Sequence, residues 1–340
     1  MKFLIPISVV LLLCSCGSDS ASESITEEYT TAETLVESSK FIGSILVKKG
    51  NTHILRKGFG FANKAQQIPN DVDTRFRIAS LTKAFTALAI VQLKQSNAIS
   101  SYDDPVSAYI TDYPNDEITI HQLLTHKSGI PDYLSLVDDN KEYLSTELIG
   151  LFKDKALEFI PGTKFSYSNS NYFLLGHMIE QLSGMDYFDY LSAYILMPLG
   201  MNSTEYASNV ITGDEYAQGY TNLSQSKLSS YLDMSIPFAA GALSSNLVDF
   251  EVWGESFLSK LLISDEDMQD AFPGGEYGFG WFVTDISGKK VYIHSGGING
   301  FSTVIAILPD DEGLIVAFSN INGVGESVNA LMTTIIENEF

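Results

Sequence analysis

Three short clusters in this 340-residue chain bring together side chains suited to nucleophilic chemistry. Ser80 and Lys83 stand three residues apart in Ser80-Leu81-Thr82-Lys83, a spacing that makes them neighbours on one helical face. A serine hydroxyl is a weak nucleophile until a nearby base takes its proton. A lysine amine can be that base when burial and neighbours lower its pKa. A helix start adds unpaired N–H groups and a positive dipole end, both suited to an oxyanion. Tyr167-Ser168-Asn169 follows a turn at Pro161-Gly162; a phenol beside a cation can move protons, and an amide can hold a lysine and a substrate carbonyl together. His294-Ser295-Gly296-Gly297 ends a strand-like run. Its glycines let a backbone come close to a ligand, and a strand edge offers N–H groups to an extended substrate.

Each cluster alone is weak. Ser-x-x-Lys occurs three times, at Ser80, Ser224 and Ser287, and Tyr-x-Asn recurs at Tyr113 and Tyr220. A capping serine with a surface lysine, a packed loop tyrosine with a capping asparagine, or a histidine before a glycine turn would give the same letters. Context separates the first cluster from its copies. Ser224 lies in a polar stretch and Ser287 in a Ser-Gly turn, whereas Ser80 precedes Ala84, Phe85, Ala87, Leu88, Ala89, Ile90, Val91 and Leu93. A helix apolar nearly all round is a buried one. Phe76 to Ala79 is therefore read as an extended entry and Ser80 as the opening of the central helix.

The elements that must position these groups follow from periodicity and turn chemistry. Strands are expected at Phe41 to Lys48 and His53 to Phe61, joined at Lys49-Gly50-Asn51, with a strand-like piece at Thr74 to Ile78. Helices are expected at Ile118 to His126, at Tyr172 to Ser183 with Gly184 as cap, at Tyr187 to Met197 stopped by Pro198, and at Asn246 to Leu262. Glu215 to Met234 reads as a surface loop. The last third returns to strands, at Tyr277 to Ile286, Lys290 to His294, Phe301 to Leu308 and Leu314 to Asn320, before a closing helix at Val328 to Glu337. Strands at both ends and helices between imply an α/β (α+β) fold. Its antiparallel sheet would come from both termini and be flanked by helices, with an inserted, mainly helical subdomain. The expected limits are 25–96 with 271–340 for the sheet part and 97–270 for the helical part. There is no internal repeat.

Composition narrows the function classes. A hydrophobic fraction of 45% is ample for a core, and the net charge of -22 argues against nucleic acid or an anionic membrane surface as a direct partner. The histidines, His53, His121, His126, His177 and His294, form no His-Glu-x-x-His motif, and no phosphate loop or dinucleotide fingerprint is present, so no cofactor or metal is expected. Lys2 and the apolar run Phe3 to Leu13 read as a signal segment too short to span a membrane. It ends in Leu13-Cys14-Ser15-Cys16-Gly17, which resembles a bacterial lipobox with Cys16 as the lipidated residue. Residues 17–24 would be a flexible tether, and Ser24-x-x-Glu27 a capping box opening the first helix. The expected location is the bacterial cell envelope, as a monomer anchored through Cys16.

Taken together and in this order, the three clusters resemble the motifs of serine β-lactamases and penicillin-binding peptidases. The likeness is strongest to the branch holding class C lactamases and low-molecular-weight DD-peptidases, with related esterases and D-amino-acid peptidases. It runs from about Phe41 to the C-terminus and includes Leu123-Leu124-Thr125-His126-Lys127-Ser128-Gly129-Ile130. It implies Ser80 as acylated nucleophile, Lys83 as its activating partner and Tyr167 as proton relay. It implies that Asn169 binds Lys83 and the substrate amide, and that the Ser80 and Gly297 N–H groups form an oxyanion hole. Substrate binding would also involve Gly296 and His294. Histidine there, where dedicated class C lactamases have lysine, is typical of peptidase-like members; near neutrality it would be largely uncharged, and a substrate carboxylate bound there would itself favour the imidazolium. The expected activity is hydrolysis of a D-amino-acid peptide or amide, a small-molecule or peptide substrate, through a covalent acyl-enzyme. A short-chain esterase and a slowly turning over acylated sensor are the alternatives.

Overall fold

Alternation along the strands fixes the layers. The computed structural model describes residues 31–259, 261–263, 265–272, 277–321 and 325–340. The expected signal segment, the Cys16 lipobox, the tether and the Ser24 capping box lie outside the described residues. Strands β1 (Gly43–Lys49), β2 (Thr52–Phe59), β3 (Phe282–Ile286), β4 (Lys289–Ile298), β5 (Phe301–Leu308) and β6 (Gly313–Ser319) form one antiparallel sheet in the order β2-β1-β6-β5-β4-β3. Side chains on successive strand residues point to opposite faces. Ile45, Val47, Val304, Ala306, Ile315 and Ala317 share one core with helix α1 (Thr31–Ser38) and the closing helix α5 (Gly325–Glu339). Leu46, Ile305, Ile307, Leu314, Val316 and Phe318 enter the larger core beneath the helices inserted between β2 and β3. The sheet is thus apolar on both faces and draws its strands from both ends of the chain.

The central helix is α2 (Thr82–Gln95), in which every residue from Thr82 to Val91 is buried. Phe85 stacks on Trp253 of α4 (Leu247–Leu258) with ring centroids 3.9 Å apart. Two departures from expectation matter for the site. Ser80 does not open the α-helix but sits in a 3₁₀ turn, Ala79–Leu81, ahead of it. Helix α3 (Asn169–Ser183) begins three residues earlier than Tyr172, with Ser168 as its N-cap and Gly184 at φ 69° closing it. The helix expected over Ile118 to His126 is shortened to Ile120–Leu124 by a Thr119–Gln122 capping box at its start. His126 beyond it adopts φ 55°. The segment from Tyr187 loosens into a π-turn over Ser192–Leu196 before Pro198, and β3 starts at Phe282 rather than Tyr277.

Candidate active site

The approach to the nucleophile is set by backbone geometry. Ala79 lies at φ 49°, a left-handed conformation costly for a residue with a Cβ. It turns the chain sharply out of the strand pair Phe76–Arg77 and Leu243–Ser245. Ile78 is pinned on both sides, its N–H to Leu243 O at 2.9 Å and its carbonyl to Thr303 Oγ1 of β5 at 2.9 Å. Ser80 emerges half-buried at the rim of a cleft, while Lys83, one turn on, has no exposed surface.

Lys83 Nζ has three acceptors: Ser80 Oγ at 3.1 Å, Asn169 Oδ1 at 2.8 Å and Ala240 O at 2.7 Å. Burial pushes this amine down to about 7, and the Asp132 carboxylate opposes the fall in part. Near neutrality a large share is therefore a neutral amine. Two N–H bonds to Asn169 and Ala240 then leave its lone pair aimed at the Ser80 hydroxyl. The Asn169 amide is held in that orientation by Asp132 Oδ2, which accepts from both Asn169 N and Nδ2 at 2.8 Å. Asp132 itself caps the 3₁₀ turn Tyr133–Leu136 through Leu134 N at 2.8 Å.

Tyr167 precedes α3 by two residues. Its ring lies 4.9 Å from Lys83 Nζ, and its phenol is near enough to Ser80 for that side chain to act on its pKa. Desolvation raises the phenol well above its ordinary range, so it stays protonated and can donate. The ring rests on the imidazole of His126, with centroids 4.2 Å apart. His126 Nδ1 accepts from Ser168 N–H at 3.2 Å and from Asn171 Nδ2 at 3.1 Å, and Ser128 Oγ donates to Asn171 Oδ1 at 2.6 Å. Burial, with Lys83 and His294 nearby, keeps that imidazole neutral. The segment from His126 to Asp132 thus shapes the tyrosine and asparagine motif from behind.

His294 reaches the site as a buried, neutral ring. It is 2% exposed. The Tyr277 hydroxyl donates to its Nε2 at 3.0 Å, and its Nδ1 donates to Ser295 O at 2.7 Å. Desolvation, then the Lys83 charge, push it down to about 3, so the ring is neutral near pH 7. Gly296 also has a packing reason: a Cβ there would fall 2.4 Å from Thr303 Oγ1 and 2.6 Å from Ile78 O. Gly297 is exposed, with open space at its Cβ. Pairing with β3 ends at Ile293, while pairing with β5 continues to Ile298, so His294 to Ile298 leave one backbone edge unpaired by the sheet.

Ser80, Asn169 and Gly297 line one cleft of about 260 Å³, walled by Tyr133, Leu232 and Ile236. Asp139 is the only charged residue on its lining, among the described residues. Among those residues no three His, Cys, Asp or Glu side chains are grouped so as to hold a metal ion.

The Beta-lactamase family model matches residues 31–336. The chain belongs to the beta-lactamase family. It is 30% identical over 319 residues to "Penicillin-binding protein 4*" of Bacillus subtilis, covering 86% of this chain and 70% of that one. The crystal structure of a penicillin-binding protein from Bacillus halodurans superposes with a TM-score of 0.79 at 28% identity, covering 89% of this chain and 99% of the other. D-amino acid amidase from Ochrobactrum anthropi shares the fold, with a TM-score of 0.78 at 22% identity over 90% of this chain and 96% of that one. The mixed architecture and antiparallel sheet are those of this beta-lactamase and penicillin-binding group.

Within this family member, the serines of the other two Ser-x-x-Lys copies bond groups other than a lysine amine. Ser224 Oγ bonds Asn222 and Ser226 in a loop, and Ser287 Oγ bonds Glu337 on α5. The residues that sequence reasoning missed are Asp132, His126, Tyr277 and the Ala240 carbonyl. Asp132 had one signal, its place after the Gly129-Ile130-Pro131 helix stop, where an Asp commonly caps the next turn. The Ala240 carbonyl had none.

Proposed function

We propose that this protein is a serine acyl hydrolase that forms a covalent acyl-enzyme on Ser80 and acts on small D-amino-acid amides or peptides. The observation carrying the reading is the buried Lys83 amine, held between Ser80 Oγ and Asn169 Oδ1. Lys83 takes the Ser80 proton as Oγ attacks the carbonyl carbon, and the oxygen of the tetrahedral intermediate turns to the Ser80 and Gly297 amides. The carbon–nitrogen bond then breaks, with the Tyr167 phenol giving the leaving amine its proton and regaining one from Lys83. Water attacks the ester carbonyl, the neutral Lys83 amine takes its proton, and that proton passes to Ser80 Oγ as the ester bond breaks. The elevated pKa of Tyr167 suits a donor, which assigns the first base to Lys83.

The cleft supports the substrate class. Its volume suits one amino-acid residue and a small leaving group. Its one charge is the Asp139 carboxylate, which favours an amide with a free ammonium over a substrate ending in a carboxylate. The Ochrobactrum relative, by its name a D-amino acid amidase, has that substrate type. A neutral short-chain ester is the second reading, favoured by the same lack of a cation. Mass spectrometry and turnover with D-alanine anilide, a D-Ala-D-Ala peptide, a cephalosporin and a nitrophenyl ester separate the cases. The anilide should acylate Ser80 and turn over fastest. A Ser80→Ala protein that still hydrolyses it would overturn the mechanism, and faster turnover of the ester would put the second reading first.

Export with lipidation at Cys16 belongs to the same proposal, on the charged Lys2, the Phe3 to Leu13 run and the lipobox. Cys16→Ser should release an active protein from the membrane fraction of an expressing bacterium. Retention would remove the anchor.

A further inference from the structure

The strand entering the nucleophile turn carries a second buried charge that the acyl-transfer steps leave unused. Arg77 is 7% exposed. Its Nη2 donates to the carbonyls of Ser208 at 2.8 Å and Asn209 at 3.2 Å, while its Nε is buried with no partner. Neighbouring Arg75 is paired with Glu205 at 3.3 Å, but Arg77 has no carboxylate partner among the described residues. A buried charge is costly unless paired and hydrogen-bonded, and two carbonyl dipoles do not neutralise a guanidinium. Burial accordingly lowers its pKa.

Beside this guanidinium lies a separate cavity of about 100 Å³, lined by Arg75, Arg77 and Ser244 on its polar side and by Ala207, Val210 and Ile211 on its apolar side. The Ser244 hydroxyl is also buried without a partner. Val210 is 63% exposed, so the cavity opens to solvent past its side chain. None of these residues lines the Ser80 cleft.

We propose that this cavity is a binding site for a small carboxylate, with the anion on the Arg77 guanidinium and a short aliphatic tail against Ala207, Val210 and Ile211. The Nη2 hydrogens are taken by the Ser208 and Asn209 carbonyls, so a carboxylate would be held by the charge and the remaining N–H groups of the guanidinium. The apolar side gives an aliphatic acid an advantage over phosphate or chloride, whose whole surface needs polar contacts. The site adjoins the catalytic frame. Arg77 pairs with Ser244 across the short strand pair, Ile78 bonds Leu243 O, and the same segment supplies the Ala240 carbonyl that holds Lys83. An occupied site would tie both supports of the Ser80 turn together.

Calorimetric titration of Ser80→Ala protein with butyrate, and separately with sodium chloride and phosphate, tests this without chemistry at Ser80. One saturable butyrate site is expected. It should weaken about tenfold or more in Arg77→Met and disappear in Val210→Trp, which plugs the mouth from an exposed position and leaves Arg77 intact. Should Arg77→Met fail to fold, Val210→Trp carries the test. Butyrate binding unchanged by Val210→Trp would overturn the site, as would the lack of any saturable butyrate binding. Equal responses to butyrate, chloride and phosphate would overturn its assignment to a carboxylate.

Discussion

Replacing Lys83 by methionine should change stability in a way that depends on pH, and the slope is fixed by the burial of the amine. In the unfolded chain this group titrates near its ordinary 10.5, and in the fold near about 7. Each pH unit between those values is worth about 1.4 kcal/mol, so keeping the amine charged inside the protein costs on the order of 5 kcal/mol. Across that window the folded amine is neutral while the unfolded one holds its proton. The unfolded state binds more protons, so stability rises with pH through the window. Below it both states are protonated and the full cost is present; above 10.5 both are neutral and it is gone. Methionine has nearly the same shape and no titration. It leaves Asn169 Oδ1 and Ala240 O without their donor, which costs about 1–3 kcal/mol apiece, but that offset does not vary with pH. Urea unfolding of both proteins from about pH 6 to about pH 9 should show the wild type gaining on Lys83→Met by about 1.4 kcal/mol per unit above neutrality, and no gain below it. All other groups cancel in the difference. Parallel stability curves would show that Lys83 keeps an ordinary pKa, and the general-base role would fall with it.

The other expectations concern groups around that amine. Asp132→Asn removes the charge that partly props up Lys83 and the acceptor that orients Asn169. Its acidic limb in kcat/KM should therefore move to lower pH while the plateau drops on the order of 100-fold; an unmoved limb would sever Asp132 from Lys83. His294→Gln should leave the pH profile between about pH 5 and pH 8 unaltered, because the native ring is already neutral at about 3. Loss of a limb in that variant would restore a charged histidine. Gly296→Ala should cost about 1–3 kcal/mol of stability and slow Ser80 labelling by a fluorophosphonate, since the new Cβ meets Thr303 Oγ1 and Ile78 O. Normal labelling with a normal Tm would show that β4 can retreat freely.

Much of this arrangement was legible in the chain because local and tertiary demands coincide. The short apolar stretches at Phe301 to Leu308 and Leu314 to Asn320, and the apolar run after Lys83, specify burial directly, and burial is what the sheet and α2 provide. Ser80, Lys83, Tyr167 and Asn169 stand on elements that the same patterns locate. The boundaries were less legible. Periodicity cannot show that Ala79 takes a left-handed turn, nor that Ser168 rather than a later residue caps α3, because both sit among contacts distant in sequence. Ile78 is held by Leu243 and Thr303, and the Ser168 and Asn169 N–H groups by His126 and Asp132. How deeply His294 is buried was hidden for a similar reason. Its neutrality follows from burial and from Lys83, with the rings of Tyr277, 17 positions away, and Phe282 packed on it. Sequence shows a histidine before glycines; only packing shows that it has no room for a proton.

The chemistry of the site and the stability of the core are therefore one problem. In the proposed mechanism Lys83 is a useful base because it is fully buried. The side chains that exclude water are ordinary core residues: Tyr172, whose ring lies 5.7 Å from Nζ, Phe238 against Tyr187, and Tyr167 on His126. Opening that packing would let the amine recover hydration, raise its pKa and remove the neutral form at physiological pH. The fold would at the same time become easier to maintain with a charged lysine. A variant loosened around α2 can thus lose activity without losing stability, although it touches neither Ser80 nor the substrate. Asp132 works against desolvation, holding the amine near the range where it can both accept the serine proton and return one to Tyr167. A base too deeply depressed would accept poorly, and one fully solvated would already carry its proton. The balance between the apolar shell and one carboxylate places Lys83 between those limits.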